Sequence, residues 1–216
     1  MDEAVRKMIM AAFGLLLVSL YGGSTLGSWF YVEGELDNED SGESIDFKAN
    51  FFLKSWEYEI VHREGGDKED YDDTVDYDDD ECSFPNSSNS GDCDEMYDLM
   101  QGQIQKLLYV AVLAGGLALY FISIEEQEKA TQACLAMGVV GLLAVILFAM
   151  NFPEALDDDT EAFEIVDDDP SLLGDNSNYG NDIGLDSDIN WRPGFAFLLV
   201  LLSGIISMSA YKELKI

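Results

Sequence analysis

"ATQACLAMGVVGLLAVILFAMNFP", residues 130–153, runs for 24 residues without one charged side chain. A hydrocarbon core about 30 Å thick is crossed by roughly 20 apolar residues in helical form. A helix packed in a soluble protein keeps a polar face, whereas this run is apolar all round, so it reads as a membrane span. Three further uncharged stretches have the same character: Met8 to Phe30, Leu107 to Ile124 and Pro193 to Tyr211. Four spans are therefore predicted, over residues 8–26, 105–124, 131–151 and 192–211. The first stretch also has the charged head and small-residue end of a secretory signal peptide. Its apolar run is long and no A-x-A site follows it, which favours an uncleaved helix.

Between the spans the composition reverses. The 216 residues carry a formal net charge of −32, and 37 of the 43 Asp and Glu lie in two connections, 24 in residues 24–104 and 13 in 152–191. The short segments 1–7, 125–130 and 212–216 hold Arg6, Lys7, Lys129, Lys212 and Lys215, while residues 152–191 contain no Lys or Arg. Basic residues concentrate on the cytoplasmic side of membrane proteins. The expected arrangement is a multi-pass plasma-membrane protein with both termini and the 125–130 turn cytoplasmic, and with loops 27–104 and 152–191 extracellular.

An oxidising exterior suits the cysteines. Cys82 and Cys93 stand in the first loop with ten residues between them, a spacing that fits a local disulfide. Closing a loop of that size stabilises by about 3 kcal/mol in the chain-entropy picture. Cys134, within the third span, reads as a small packing residue. Asn86-Ser87-Ser88 matches an N-glycosylation sequon, which gives Asn86 as a glycosylation candidate.

The first loop reads as a small β-rich domain. Ile45, Phe47, Ala49, Phe51 and Leu53 alternate with polar residues, and after Phe52 the apolar set changes phase to Trp56, Tyr58 and Ile60. A period of two that shifts phase implies a bulge or a fresh strand. Three or four antiparallel strands are expected here. "EGGDKEDYDDTVDYDDDE" (64–81) has too few apolar residues to offset backbone entropy and reads as a mobile acidic loop. In the second loop "AFEIV" (162–166) fits a strand or a helical turn, and the remainder is turn chemistry.

The carboxylates do not match a calcium loop. Asp186, Asp188 and Asn190 have the alternate spacing, but Trp191 stands where such a loop needs glycine. No discrete metal site is expected; weak attraction of divalent cations is, at this charge density. No ionisable residue interrupts the spans, which argues against a pump or proton-coupled transporter. His62 is the only histidine and no hydrolase or phosphate-binding motif is present, so no catalytic residue, enzyme activity or cofactor is predicted. The small residues Ala111, Gly115, Gly138, Gly141, Ser203 and Ser207 fit packing within one bundle or contacts between copies. Tyr21, Trp29, Tyr109 and Trp191 at one boundary, with Tyr120 and Tyr211 at the other, read as an aromatic belt that anchors the protein.

The whole layout resembles the claudin and peripheral-myelin-protein tetraspan superfamily. Trp29 follows the first span, Trp56 in "FLKSW" stands near the family's second Trp, Cys82 and Cys93 match its cysteine pair, and "CDEMYDLMQGQIQKLLYVAVL" resembles the polar helix leading into its second span. The family's Gly-Leu-Trp is absent, and 25 residues separate Trp56 from Cys82. The fold expected is a membrane all-α four-helix bundle carrying a small antiparallel β-rich extracellular cap, α+β overall. The function expected is non-enzymatic: cell-surface organisation, adhesion or claudin-like assembly, with the bilayer and other membrane proteins or further copies as partners, and no nucleic acid. The alternative is an accessory subunit or sensor that responds to extracellular cations, triggered by Asp72, Asp73, Asp76, Asp78, Asp79 and Asp80.

Overall fold

The apolar runs form helices. The computed structural model describes residues 3–21, 27–38, 41–65, 67–78, 93–160, 172–178 and 185–215. Helices α1 (Glu3–Tyr21), α2 (Asp94–Ser123), α3 (Gln127–Thr160) and α4 (Phe195–Lys215) are each long and apolar enough to cross a membrane. They pack in a ring, with α1 against α2 and α4, and α3 against the same two. Ile9, Leu16, Leu108, Met137 and Val200 are fully buried between them, while Leu113, Leu117, Ile146, Met150 and Leu202 face outward, exposed. A belt of large apolar side chains on the outside is what lipid, rather than water, accommodates.

The small residues serve the ring itself. Gly115 faces Phe13 and Met137, Gly138 faces Ser207, and Gly204 lies under Leu142. Ser203 Oγ donates to the Ala12 carbonyl at 2.8 Å and Ser207 Oγ to the Ser203 carbonyl at 2.7 Å, so both buried hydroxyls are satisfied.

Two helices overshoot the predicted spans. At about 1.5 Å per residue, the 34 residues of α3 reach about 51 Å, well beyond a hydrocarbon core of about 30 Å. The helix passes Pro153 and continues to Thr160, into the stretch predicted as loop 152–191. Helix α2 begins at Asp94 rather than 105, and its segment Asp98–Ile104 is π-wound. The start of α2 and the end of α3 pack together beside the sheet.

That sheet has six antiparallel strands: β1 (Phe30–Asn38), β2 (Glu43–Phe51), β3 (Ser55–Glu64), β4 (Asp67–Asp76), β5 (Gly174–Asn178) and β6 (Leu185–Pro193), in the order β4-β3-β2-β1-β6-β5. The phase change after Phe52 is a fresh strand: Phe52 N donates to the Ser55 carbonyl at 2.8 Å, which closes a tight turn. Two expectations are corrected. Within the acidic stretch 64–81 expected to be mobile, Asp67–Asp76 form strand β4, zipped to β3 in register from Glu64↔Asp67 to Ser55↔Asp76. The turn chemistry expected at 185–191 is strand β6, which pairs with β1 from Asn38↔Leu185 to Phe30↔Pro193. The two long connections therefore meet in one sheet at one end of the helices. "AFEIV" (162–166) lies outside the described residues.

One face of the sheet packs on the helices. Phe30 and Phe51 meet Phe152 of α3 at 4.6 and 5.5 Å between ring centroids, and Phe152 stacks on Phe148 at 4.5 Å. Trp29, just before β1, meets Phe148 at 5.1 Å and Phe197 of α4 at 6.5 Å. Trp29 and Trp191 are 0% and 3% exposed, which corrects their reading as membrane anchors: both are core residues of the joint. Tyr21, Tyr109 and Tyr120 are exposed, as interfacial residues are.

Gly34 in β1 stands opposite Phe47 of β2, whose ring lies over the glycine. A Cβ there would come within 2.6 Å of that ring and 3.1 Å of the Asp188 carbonyl oxygen. Gly34→Ala is expected to destabilise by about 1–3 kcal/mol, as overpacking does. A fall in thermal midpoint in detergent, partly recovered by adding Phe47→Leu, would be the signature.

Candidate functional site: the acidic face of the sheet

Because strand side chains alternate, the face turned away from the helices collects most of the charged residues of β1, β2, β3 and β6 and part of those of β4. Directly opposed across the strands run Asp72, Glu59, Lys48, Glu33 and Asn190. The next row runs Asp70, Val61, Asp46, Glu35 and Asp188. A hollow of about 600 Å3 lies over the centre of these rows, lined by Glu33, Glu35, Asp46, Lys48, Asp188 and Asn190 among others. A second hollow of about 680 Å3 extends over Glu57, Glu59, Asp70 and Asp72.

The two rows differ electrostatically. In the first, Lys48 stands between Glu33 and Glu59. In the second, Glu35 stands between Asp46 and Asp188, three carboxylates abreast on neighbouring strands. Opposed side chains of this kind lie about 5 Å apart, where like charges destabilise a sheet. Arg63 relieves Asp46 from the side through a 2.6 Å ion pair, and that carboxylate raises the guanidinium's pKa above its ordinary value. At the helix end of the face Arg192 lies 5.1 Å from the Tyr31 ring centroid, and Tyr31 donates to Glu33 at 2.7 Å. Burial first, and then this carboxylate, push the Tyr31 hydroxyl up to about 12.

The residues singled out from the sequence fall apart on this frame. On β4, Asp72 and Asp76 lie on the acidic face and Asp73 on the opposite one, so the trigger proposed for cation sensing is split by the strand's own alternation. Asp79 and Asp80 lie outside the described residues, as do Cys82, and with it the Cys82–Cys93 pairing, and the glycosylation candidate Asn86. Asp186, Asp188 and Asn190 extend along β6 rather than curling into a loop. Among the described residues no group of three or more His, Cys, Asp or Glu is arranged to hold a metal ion. His62 Nε2 lies 2.6 Å from Glu43 Oε1 on the helix-side face, in a cross-strand pair.

Sequence reasoning missed the like-charge row because Asp188 lies more than 140 residues beyond Glu35 and Asp46, and the three become neighbours only through the β1 pairings. No protein-family model matches the chain, and no curated protein is significantly similar to it.

Proposed function

We propose that the chain is a non-enzymatic multi-pass membrane protein of the cell surface, whose acidic sheet face recruits basic surfaces of neighbouring membrane proteins and so organises them. The observation that carries this reading is the Asp46–Glu35–Asp188 row. Three carboxylates stand abreast on an exposed, predominantly acidic face, which a basic surface of a partner would complement. Orientation with both termini cytoplasmic follows from the Lys and Arg of the short segments and puts this face outside.

The claudin-like reading belongs here too. It is supported by the helix-sheet-helix-helix-sheet-helix order, by Trp29 buried at the mouth of the bundle and by the polar start of α2. The absence of Gly-Leu-Trp and the 25 residues between Trp56 and Cys82 set the chain apart.

Glu35→Gln tests the proposal, because the two readouts move in opposite directions. It is expected to stabilise the protein by about 0.5–1 kcal/mol by thinning the row. It is also expected to weaken association with neighbours in crosslinking and native-detergent sizing. A wild-type protein that stays strictly monomeric, with no crosslinked neighbour in its native membrane, overturns the reading.

A further inference from the structure

We propose that Asp159 is a proton-sensitive latch that ties the far end of α3 to the first turn of α2. Its carboxylate accepts from the backbone N–H of Met96 at 2.9 Å and of Glu95 at 3.4 Å, capping the start of a helix 63 and 64 residues away in sequence. Such a cap satisfies amides that a helix's own ladder leaves open. The segment it holds is the one that turns π-wound within five residues, from Asp98 to Ile104. A π segment inside an α-helix often marks a place where the helix can shift.

The latch's surroundings make it respond to protons. Two acids of the same first turn, Asp94 and Glu95, face it from α2. Tyr77, just past the end of β4, faces it from the sheet; that side chain is 3% exposed and its hydroxyl is buried without a hydrogen-bond partner among the described residues. Among the described residues no Lys or Arg forms an ion pair with Asp159. A carboxylate so placed accepts from amides without a counter-ion among the described residues, and burial with two like charges favours its neutral form.

Burial, opposed by the two amide bonds and reinforced by Glu95 and Asp94, raises its pKa from 3.8 to about 6. A carboxyl whose pKa is higher in the docked state than in the released one binds its proton more tightly when docked. Docking is therefore most favourable below about pH 4 and weakens as the pH rises towards about 6. The neutral carboxyl keeps its carbonyl oxygen as an acceptor for Met96, so protonation removes the repulsion without removing the cap. The latch is tight in acid and loosened at neutral pH, which frees the outer turns of α2 beside the sheet.

Hydrogen exchange of the full chain in detergent tests this. Once corrected for intrinsic exchange rates, protection of the Glu95 and Met96 amides is expected to fall by up to about tenfold between pH 5 and pH 7.5, steeply up to about pH 6 and levelling off above it. Protection at Ala111, deep in α2, should stay level. In Asp159→Asn, which keeps an acceptor but cannot titrate, the dependence at Glu95 and Met96 should vanish. Wild-type protection that is flat or rises over this range overturns the latch, as does an Asp159→Asn protein that keeps the same dependence. The wild-type titration decides the matter alone if the variant does not fold.

Discussion

Gly194→Ala is expected to prevent the protein from folding. Gly194 is the corner between β6 and α4, where the chain leaves the sheet for the bundle and crosses the chain that leaves α1 for β1. A Cβ at this position would stand 2.3 Å from the Ser28 carbonyl oxygen, 2.6 Å from its carbon and 2.7 Å from its Oγ. Contacts under 3 Å with backbone cannot be relieved by turning a side chain. Nor can the backbone retreat freely. Gly194 N donates to the Trp29 carbonyl at 2.8 Å, Ala196 N to the Ser28 carbonyl at 2.8 Å, and Trp29 N to the Phe51 carbonyl at 2.7 Å. Moving Ser28 aside breaks bonds that hold β6, α4 and β2 together. Overpacking alone costs about 1–3 kcal/mol, and each buried amide or carbonyl left unpaired adds about 1–3 kcal/mol. The sum is a large part of the total stability of an ordinary domain. The expected result is no monodisperse protein after extraction. Ser28→Gly should not rescue it, because the offending oxygen is main-chain. Gly116→Ala, where nothing lies within 4 Å, is the control and should leave the yield unchanged.

This crossing also shows where the sequence was readable. The four apolar runs are visible because lipid imposes one requirement on every residue of a span, and composition alone records it. Strands β2 and β3 were visible through their alternation, and the phase change at Phe52 marked the turn between them. Strand β4 was not. "DKEDYDDTVD" is exposed along almost its whole length and carries no apolar face to advertise a strand. Its pairing is dictated by a neighbour: β3 presents an open edge, and Gly65, at φ 58°, turns the chain straight back along it. Strand β6 was obscured in the same way, since "LDSDINWRP" has turn composition and its partner β1 lies about 150 residues earlier. Local propensity loses to tertiary pairing in both.

The acidic face follows the same logic. No stretch of sequence contains the Asp46–Glu35–Asp188 row; the β1 pairings create it. Asp159 is equally hidden, because nothing in "DDD" at 157–159 distinguishes the one carboxylate that folds back onto α2. The sequence reports how much charge there is, and the pairing of strands and helices decides which charges meet.

Trp29→Ala is expected to cost about 3–5 kcal/mol, the range for deleting a buried aromatic side chain. Trp29 is fully buried, and its indole is the wedge between the sheet and two helices, touching Phe148 of α3 and Phe197 of α4. Those rings themselves meet at 5.7 Å, and Phe148 stacks on Phe152, which carries Phe30 and Phe51 of the sheet. Removing Trp29 leaves a hole at one end of this chain of rings, which no nearby segment can fill without breaking the β1 ladder. Trp29→Phe separates the two properties of the indole. Its Nε1 is buried with no hydrogen-bond partner among the described residues, a penalty of about 1–3 kcal/mol that phenylalanine does not carry. The smaller ring still meets Phe148, so the lost contact area and the relieved N–H oppose each other. The thermal midpoint of Trp29→Phe should therefore lie close to that of the wild type, with Trp29→Leu lower and Trp29→Ala lowest. If Trp29→Phe falls as far as Trp29→Ala, the indole nitrogen contributes through a partner and the joint is not held by ring packing alone. If all three variants match the wild type, the sheet is fixed to the helices by something other than this aromatic joint.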